Sequence, residues 1–182
     1  MRKIDMSNVQ EAGDFRKPAA GAYICKITNV IDVTEKQYLK VDYDIDEGEF
    51  KGYYTEIRNA HPDWAWSGAY VKSYKETALG LFKRFCSAVN KSNNGFIFDA
   101  GEFNSEEKTL IGKRIGLVFQ EEEYYGNDGS IRTRLRVFRE FPIDKLSEQT
   151  TPSPSKLAQT APANESNPVF VPEGVDDEFP FK

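Results

Sequence analysis

K-R-I-G-L-V-F-Q-E-E-E-Y-Y-G-N-D-G-S-I-R-T-R-L-R-V-F-R-E-F, running from Lys113 to Phe141, holds two β-branched and aromatic runs joined by Gly126-Asn127-Asp128-Gly129. Runs of that kind around an Asn-Asp-Gly turn predict a β-hairpin. In the second run Ile131, Thr133, Leu135 and Val137 alternate with Arg132, Arg134, Arg136 and Phe138. Alternate strand residues point to opposite faces, so one face meets a core and the other presents three guanidiniums and a ring. Such a face can follow a nucleic-acid backbone while a ring stacks on a base. Glu121 and Glu123 offer a plainer account: simple pairing sets them opposite Arg132 and Arg134 or Arg136, in cross-strand ion pairs of roughly 0.2–1 kcal/mol each. On the hairpin alone the two accounts weigh equally.

Working back toward the N-terminus, Gly21 opens a long strand, A-Y-I-C-K-I-T-N-V-I-D-V, and Thr34-Glu35-Lys36 turns the chain. From Gln37 to Asp46, Leu39, Val41, Tyr43 and Ile45 alternate with Lys40, Asp42 and Asp44, the pattern of a half-buried strand. After a turn at Glu47-Gly48, Gly52 to Ile57 reads as a short third strand. Arg58 to Tyr70 is polar, turn-rich and aromatic, with Trp64 and Trp66 bracketing one alanine. Both indoles either plug the end of a barrel or stack on bases, a contact worth ~1–3 kcal/mol per base.

Ser73 with Glu76 forms a capping-box pattern ahead of a helix whose apolar stripe is Leu79, Phe82, Phe85, Cys86 and Val89. Asn93-Asn94-Gly95 ends it. Phe96 to Phe98 reads as a short buried strand, and Asn104 to Leu110 as a helical turn capped by Asn104. The order is therefore three strands, a helix and a closing hairpin. That is the order of a mainly β, five-stranded OB-fold-like barrel with a helix between its third and fourth strands.

Composition narrows the function. Of 182 residues, 39% are hydrophobic and 13% aromatic, enough for a core. No run of 18 apolar residues exists, so no membrane span is expected. M-R-K-I-D-M-S-N-V-Q-E lacks the apolar region of a secretory signal, and two cysteines, Cys25 and Cys86, suggest no disulfide framework. An intracellular protein with no metal or other cofactor is expected. Net charge is −5, yet Glu148, Glu165, Glu173, Asp176, Asp177 and Glu178 against Lys156 and Lys182 concentrate the acidity after Leu146. The body, with 22 basic and 23 acidic residues, is nearly neutral.

From Ser147 the composition shifts to Pro, Ser, Thr, Ala and Asn, too poor in apolar residues to order itself. Four segments are expected: an arm at 1–20, an OB-fold-like domain at 21–146, a disordered linker at 147–173 and an acidic interaction tip at 174–182, with the domain at 21–146 the one that would bind single strands. In the tip, Asp176, Asp177 and Glu178 precede Phe179, Pro180 and Phe181, which suits a linear docking motif.

That tip is similar to the acidic C-terminal motif of bacterial single-stranded-DNA-binding proteins, Asp-Asp-x-Ile-Pro-Phe after a low-complexity linker. Asp176, Asp177, Pro180 and Phe181 match; Phe179 replaces the isoleucine, Glu178 takes the variable place, and Lys182 follows where the family ends. Y-L-K-V-D-Y-D-I-D-E-G-E-F-K-G and the segment L-I-G-K-R-I-G-L-V-F-Q through R-L-R-V resemble a family of phage and prophage proteins of Gram-positive hosts. Its members sit among replication and recombination genes and are taken to bind single strands through an OB-fold.

The resemblance implies a non-enzymatic protein in the bacterial cytoplasm that coats single-stranded DNA and recruits replication or recombination proteins through its tip. It could be a homo-oligomer. Arg132, Arg134, Arg136, Arg139, Lys113 and Arg114 are the expected phosphate contacts, and Tyr53, Tyr54, Trp64, Trp66 and Phe138 the expected stacking residues. Two alternatives stand beside this one. One is an OB-like adaptor or inhibitor of host proteins without DNA binding. The other is a metal-dependent nuclease using the alternating Asp42, Asp44 and Asp46, although an exposed sheet face shows the same pattern.

Overall fold

The computed structural model describes residues 16–100 and 106–157. The Asn104 cap, most of the N-terminal arm and the acidic tip lie outside the described residues.

One antiparallel sheet dominates. Its strands are β1 (Gly21–Val33), β2 (Tyr38–Ile45), β3 (Ala69–Ser73), β4 (Arg114–Tyr125) and β5 (Ile131–Phe141), in the order β3-β2-β1-β4-β5. Helix α1 (Tyr53–Ala60) joins β2 to β3, and α2 (Leu79–Ser92) lies between β3 and β4. The protein is thus mainly β, with five strands and a helix between the third and fourth. The two outer strands, β3 and β5, are not paired with each other, so the sheet is open rather than a closed barrel.

The core forms on one sheet face. Cys25 and Ile27 of β1, Val41, Tyr43 and Ile45 of β2, and Ile115, Leu117 and Phe119 of β4 are buried there. Phe82, Phe85, Cys86 and Val89 of α2 meet them, which bears out four positions of the predicted stripe. Leu79 departs from it and is exposed, because a 3₁₀ turn over Glu76–Ala78 leads into the helix and shifts its start. The Ser73–Glu76 capping box does not form: Ser73 Oγ accepts instead from the Lys75 N–H at 3.3 Å. Phe96–Phe98 is not a strand either. The Asn90 amide accepts from the Phe98 N–H (2.8 Å) and donates to its carbonyl (3.1 Å), satisfying that backbone without a ladder.

The largest departure lies between β2 and β3. Residues 52–57, expected as the third strand, instead begin α1. Gly52 takes a left-handed conformation (φ 79°) at the end of the turn that leads from β2 into the helix. Asp44 then supplies what the helix start lacks. Its Oδ1 accepts from the Tyr54 N–H at 2.9 Å, and its Oδ2 accepts from the Thr55 N–H at 3.0 Å and from the Thr55 hydroxyl. These are orphan donors that a local cap would normally satisfy. The tyrosines have strand propensity, but a carboxylate eight residues upstream of the helix cap overrides it. The third strand comes later, at Ala69–Ser73, between the end of the turn-rich stretch 58–70 and the residue expected to cap the next helix. Asp44→Ala is expected to destabilise the protein by about 2 kcal/mol, because it leaves buried N–H groups unmatched. Urea unfolding would measure it, and a loss under about 0.5 kcal/mol would disprove the capping role.

Candidate nucleic-acid interface

The β4–β5 hairpin forms as predicted, but its register differs from the simple pairing. Gln120, Glu122 and Tyr124 face Arg136, Arg134 and Arg132, while Glu121 and Glu123 face Leu135 and Thr133. The carboxylate among the arginines is therefore Glu122. It receives Arg134 Nε at 3.1 Å and Arg136 Nη1 at 2.8 Å. Arg132 pairs with Asp128 of the turn at 2.8 Å, and Arg134 also lies 4.9 Å from the centre of the Tyr124 ring. Hydrogen bonds from the Ser130 hydroxyl and N–H, then from Arg132, bring the Asp128 carboxyl down to about 2. The turn thus stays ionised well below the ordinary aspartate range.

A break in register makes this face longer than alternation alone allows. Val118 pairs with Arg139, but Phe119 pairs with Val137, leaving Phe138 as the extra residue of a β-bulge. Beyond a bulge the facing of the strand reverses. Arg139 and Phe141 therefore join Arg132, Arg134 and Arg136 on the outer face, and Glu140 turns into the core, where it is 2% exposed. Strict alternation would have sent Glu140 to solvent. The signal available in the sequence was the pair Phe138-Arg139, where the alternation of the arginines breaks.

Arg139 makes no ion pair among the described residues; its guanidinium lies 5.3 Å from the centre of the Phe138 ring and 6.0 Å from that of Phe141. Phe138 is 42% exposed. Four arginines against Glu122 and Asp128 leave this face with an excess of two positive charges. The paired guanidiniums are about half exposed. Ion pairs so exposed contribute roughly 0–1 kcal/mol, so a phosphate can take a carboxylate's place at little loss.

The remaining predicted residues are not gathered with these. Arg114 lies at the opposite end of β4, held by Asp46 at 2.8 Å and by Glu47. Lys113 precedes it, its ammonium 4.2 Å from the centre of the Phe96 ring. Tyr54 is buried; desolvation first, and nearby charges after it, push its hydroxyl up to about 12. In this position it is a core residue and offers no ring face to a base. Tyr53 is half-buried against Phe50 and Tyr54. The Trp66 N–H donates to the carbonyls of Gly68 (3.0 Å) and Tyr43 (3.2 Å), which ties that indole to the end of the sheet. Trp64 behaves differently: 51% exposed, it stacks on His61 at 3.8 Å with 9° between planes. No hydrogen bond, ion pair or ring contact joins the Trp64 loop to the hairpin arginines among the described residues.

The aspartates considered for metal binding are otherwise engaged. Asp42 and Asp44, expected on an exposed face, are buried. Asp42 accepts from Asn29 at 3.1 Å, Asp44 caps α1 and Asp46 holds Arg114. Among the described residues, no cluster of three His, Cys, Asp or Glu side chains is arranged to hold a metal ion, and no helix is long and apolar enough to cross a membrane.

Residues 149–157, read from sequence as the start of a linker, lie along the sheet. A 3₁₀ turn over Ile143–Glu148 buries Leu146 against Gly116, where a side chain would meet Leu146 at 2.9 Å. Beyond it, the Ser155 N–H donates to the Glu121 carbonyl (2.8 Å), and the Ser155 carbonyl accepts from the Glu123 N–H (2.9 Å). This adds a short parallel bridge to β4 just beyond the point where β1 begins.

Among known proteins, no family model and no curated sequence matches the chain.

Proposed function

We propose that this is a sequence-tolerant single-stranded-DNA-binding protein that coats DNA during phage replication or recombination. In this reading it recruits partner enzymes through Asp176 to Phe181. The observation that carries the proposal is the outer face of β4–β5, with Arg132, Arg134, Arg136 and Arg139 in a row and the exposed Phe138 ring among them. Spaced cations follow a phosphate backbone without reading sequence, and a ring accepts any base. Trp64 is a second stacking residue in this proposal, on a separate loop. The recruiting role draws support from the likeness of the tip to that of bacterial single-stranded-DNA-binding proteins.

Titrating the full chain with fluorescently labelled oligo-dT at two salt concentrations tests the binding. Anisotropy is expected to rise at low salt, and the affinity to fall steeply as salt increases, since each neutralised phosphate releases about 0.7 counterion on a single strand. A flat titration at low salt would end the proposal.

A further inference from the structure

The outer face of the hairpin ends at a groove of about 340 Å³, lined by Val118, Phe138, Arg139, Phe141, Gln149, Thr150 and Pro152. The first four come from β4 and β5; the last three come from the segment after the Ile143–Glu148 turn. That volume is at the low end of ligand clefts, which run from roughly 300 to 1,000 Å³, and so suits one nucleotide unit rather than several. Its lining is mixed, with apolar side chains from Val118, Phe138, Phe141 and Pro152 beside the polar ones. At its rim stands Arg139, the guanidinium of this face that two rings hold in place of a carboxylate. Such a cation keeps its donors for an anion, and the exposed Phe138 ring offers a surface for something flat.

The third wall is fixed at both ends. The Gln149 N–H donates to the Leu146 carbonyl at 3.1 Å, and the Gln149 amide to the Lys145 carbonyl at 2.9 Å. At the far end, Gln120 Nε2 donates to the Ser153 carbonyl at 2.7 Å, Ser155 pairs with Glu121 and Glu123, and the Leu157 N–H donates to Glu123 Oε2 at 3.2 Å. Thr150 to Pro152 are thereby strung between two anchors beside the bulge. A wall held before the ligand arrives loses little ordering entropy on binding, which is how preorganisation raises affinity.

We propose that this groove seats a single nucleotide of a bound strand, its base on Phe138 and its phosphate on Arg139, and that the pairing of Ser153–Leu157 with β4 sets the affinity of the seat. The inference rests on the single-strand-binding reading above and extends it to residues 149–157, which then belong to the binding surface and not to a linker.

The test uses the full chain and oligo-dT carrying 5-iodouracil. Cross-links are expected at Phe138 and within 149–152. Phe138→Ala is expected to weaken binding roughly 5- to 150-fold, the range for one lost base stack. Arg139→Gln is expected to flatten the salt slope by about 0.7. Ser155→Pro removes the N–H that pairs with Glu121, and Gln120→Ala removes the Ser153 anchor; neither touches the groove. Both are expected to weaken binding roughly tenfold, the size of a lost preorganised contact of about 1.4 kcal/mol, with thermal midpoints near that of the parent. If the parent binds oligo-dT but both anchor variants stay within twofold of it, or the cross-links map elsewhere, the seat is refuted and the wider reading survives. If the parent does not bind, both fall together.

Discussion

Glu140→Ala is expected to destabilise the protein by about 3–5 kcal/mol, the range for removing one partner of a buried ion pair. Glu140 on β5 binds Lys72 on β3, and Arg84 of α2 stands 3.6 Å from its other oxygen. The side chains of Lys72 and Glu140 are only 11% and 2% exposed. The Lys72 ammonium also lies 5.7 Å from the centre of the Tyr70 ring and 5.9 Å from that of Phe85. Without the carboxylate, a charge would remain among rings with no counter-ion and little water. The pair fastens the two strands that the hydrogen-bond ladder leaves unpaired. It therefore does by one side-chain contact what a closed barrel does by strand pairing.

The double variant Lys72→Met/Glu140→Leu separates the cost of an orphaned charge from the worth of the pair. Well-packed apolar replacements for a buried pair are often neutral or stabilising by 1–4 kcal/mol. The double variant is therefore expected to recover most of the stability that Glu140→Ala loses. Guanidinium unfolding of the three proteins decides the matter. A loss under about 1 kcal/mol for Glu140→Ala would mean that the lysine relaxes into solvent, and that the sheet edges are not fastened here.

How much of this was legible in the sequence follows from the range of the forces involved. β1, β2 and the hairpin were readable because their pattern of period two and their turn residues are local signals. The core stripe of α2 was readable for the same reason, from Phe82 to Val89. What was hidden depended on contacts distant in sequence. Tyr54 and Thr55 look like strand residues until Asp44 reaches their N–H groups. Ala69–Ser73 is too short to announce itself and exists because Tyr38–Asp42 offers a partner edge.

The candidate site divides along the same line. That Arg132, Arg134 and Arg136 share a face could be read from their spacing; Arg139 was expected as a phosphate contact, but strict alternation puts it on the other face, and it is the bulge at Phe138 that brings it to theirs. Nor could sequence show which rings remain available. Tyr54, Trp66 and Trp64 are of similar chemistry, yet only Trp64 among them presents more than half its surface to solvent. Residues 149–157 look like linker by composition, since what orders them is their own backbone bonding to β4, at Glu121 and Glu123 and at the Gln120 and Glu123 side chains.

Replacing Arg132, Arg134, Arg136 and Arg139 together by glutamine is expected to produce the largest functional loss: at least about 100-fold in oligo-dT affinity at low salt, with the slope of log K against log salt reduced by about 3. The slope discriminates better than the affinity does. If these side chains contact phosphates, four neutralised charges withhold about three counterions, at about 0.7 each for a single strand. If they serve only as partners for Glu122 and Asp128, their removal leaves the slope where it was. Glu122→Gln makes the opposite test. Its carboxylate holds both Arg134 and Arg136, so its loss releases two guanidiniums to the strand. Binding should tighten and the slope steepen by about 1.4, with little change in stability because the guanidiniums of those pairs are half exposed. An affinity that is unmoved by Glu122→Gln and by the fourfold replacement alike would place the strand elsewhere on the molecule, with the Trp64–His61 stack as the next surface to examine.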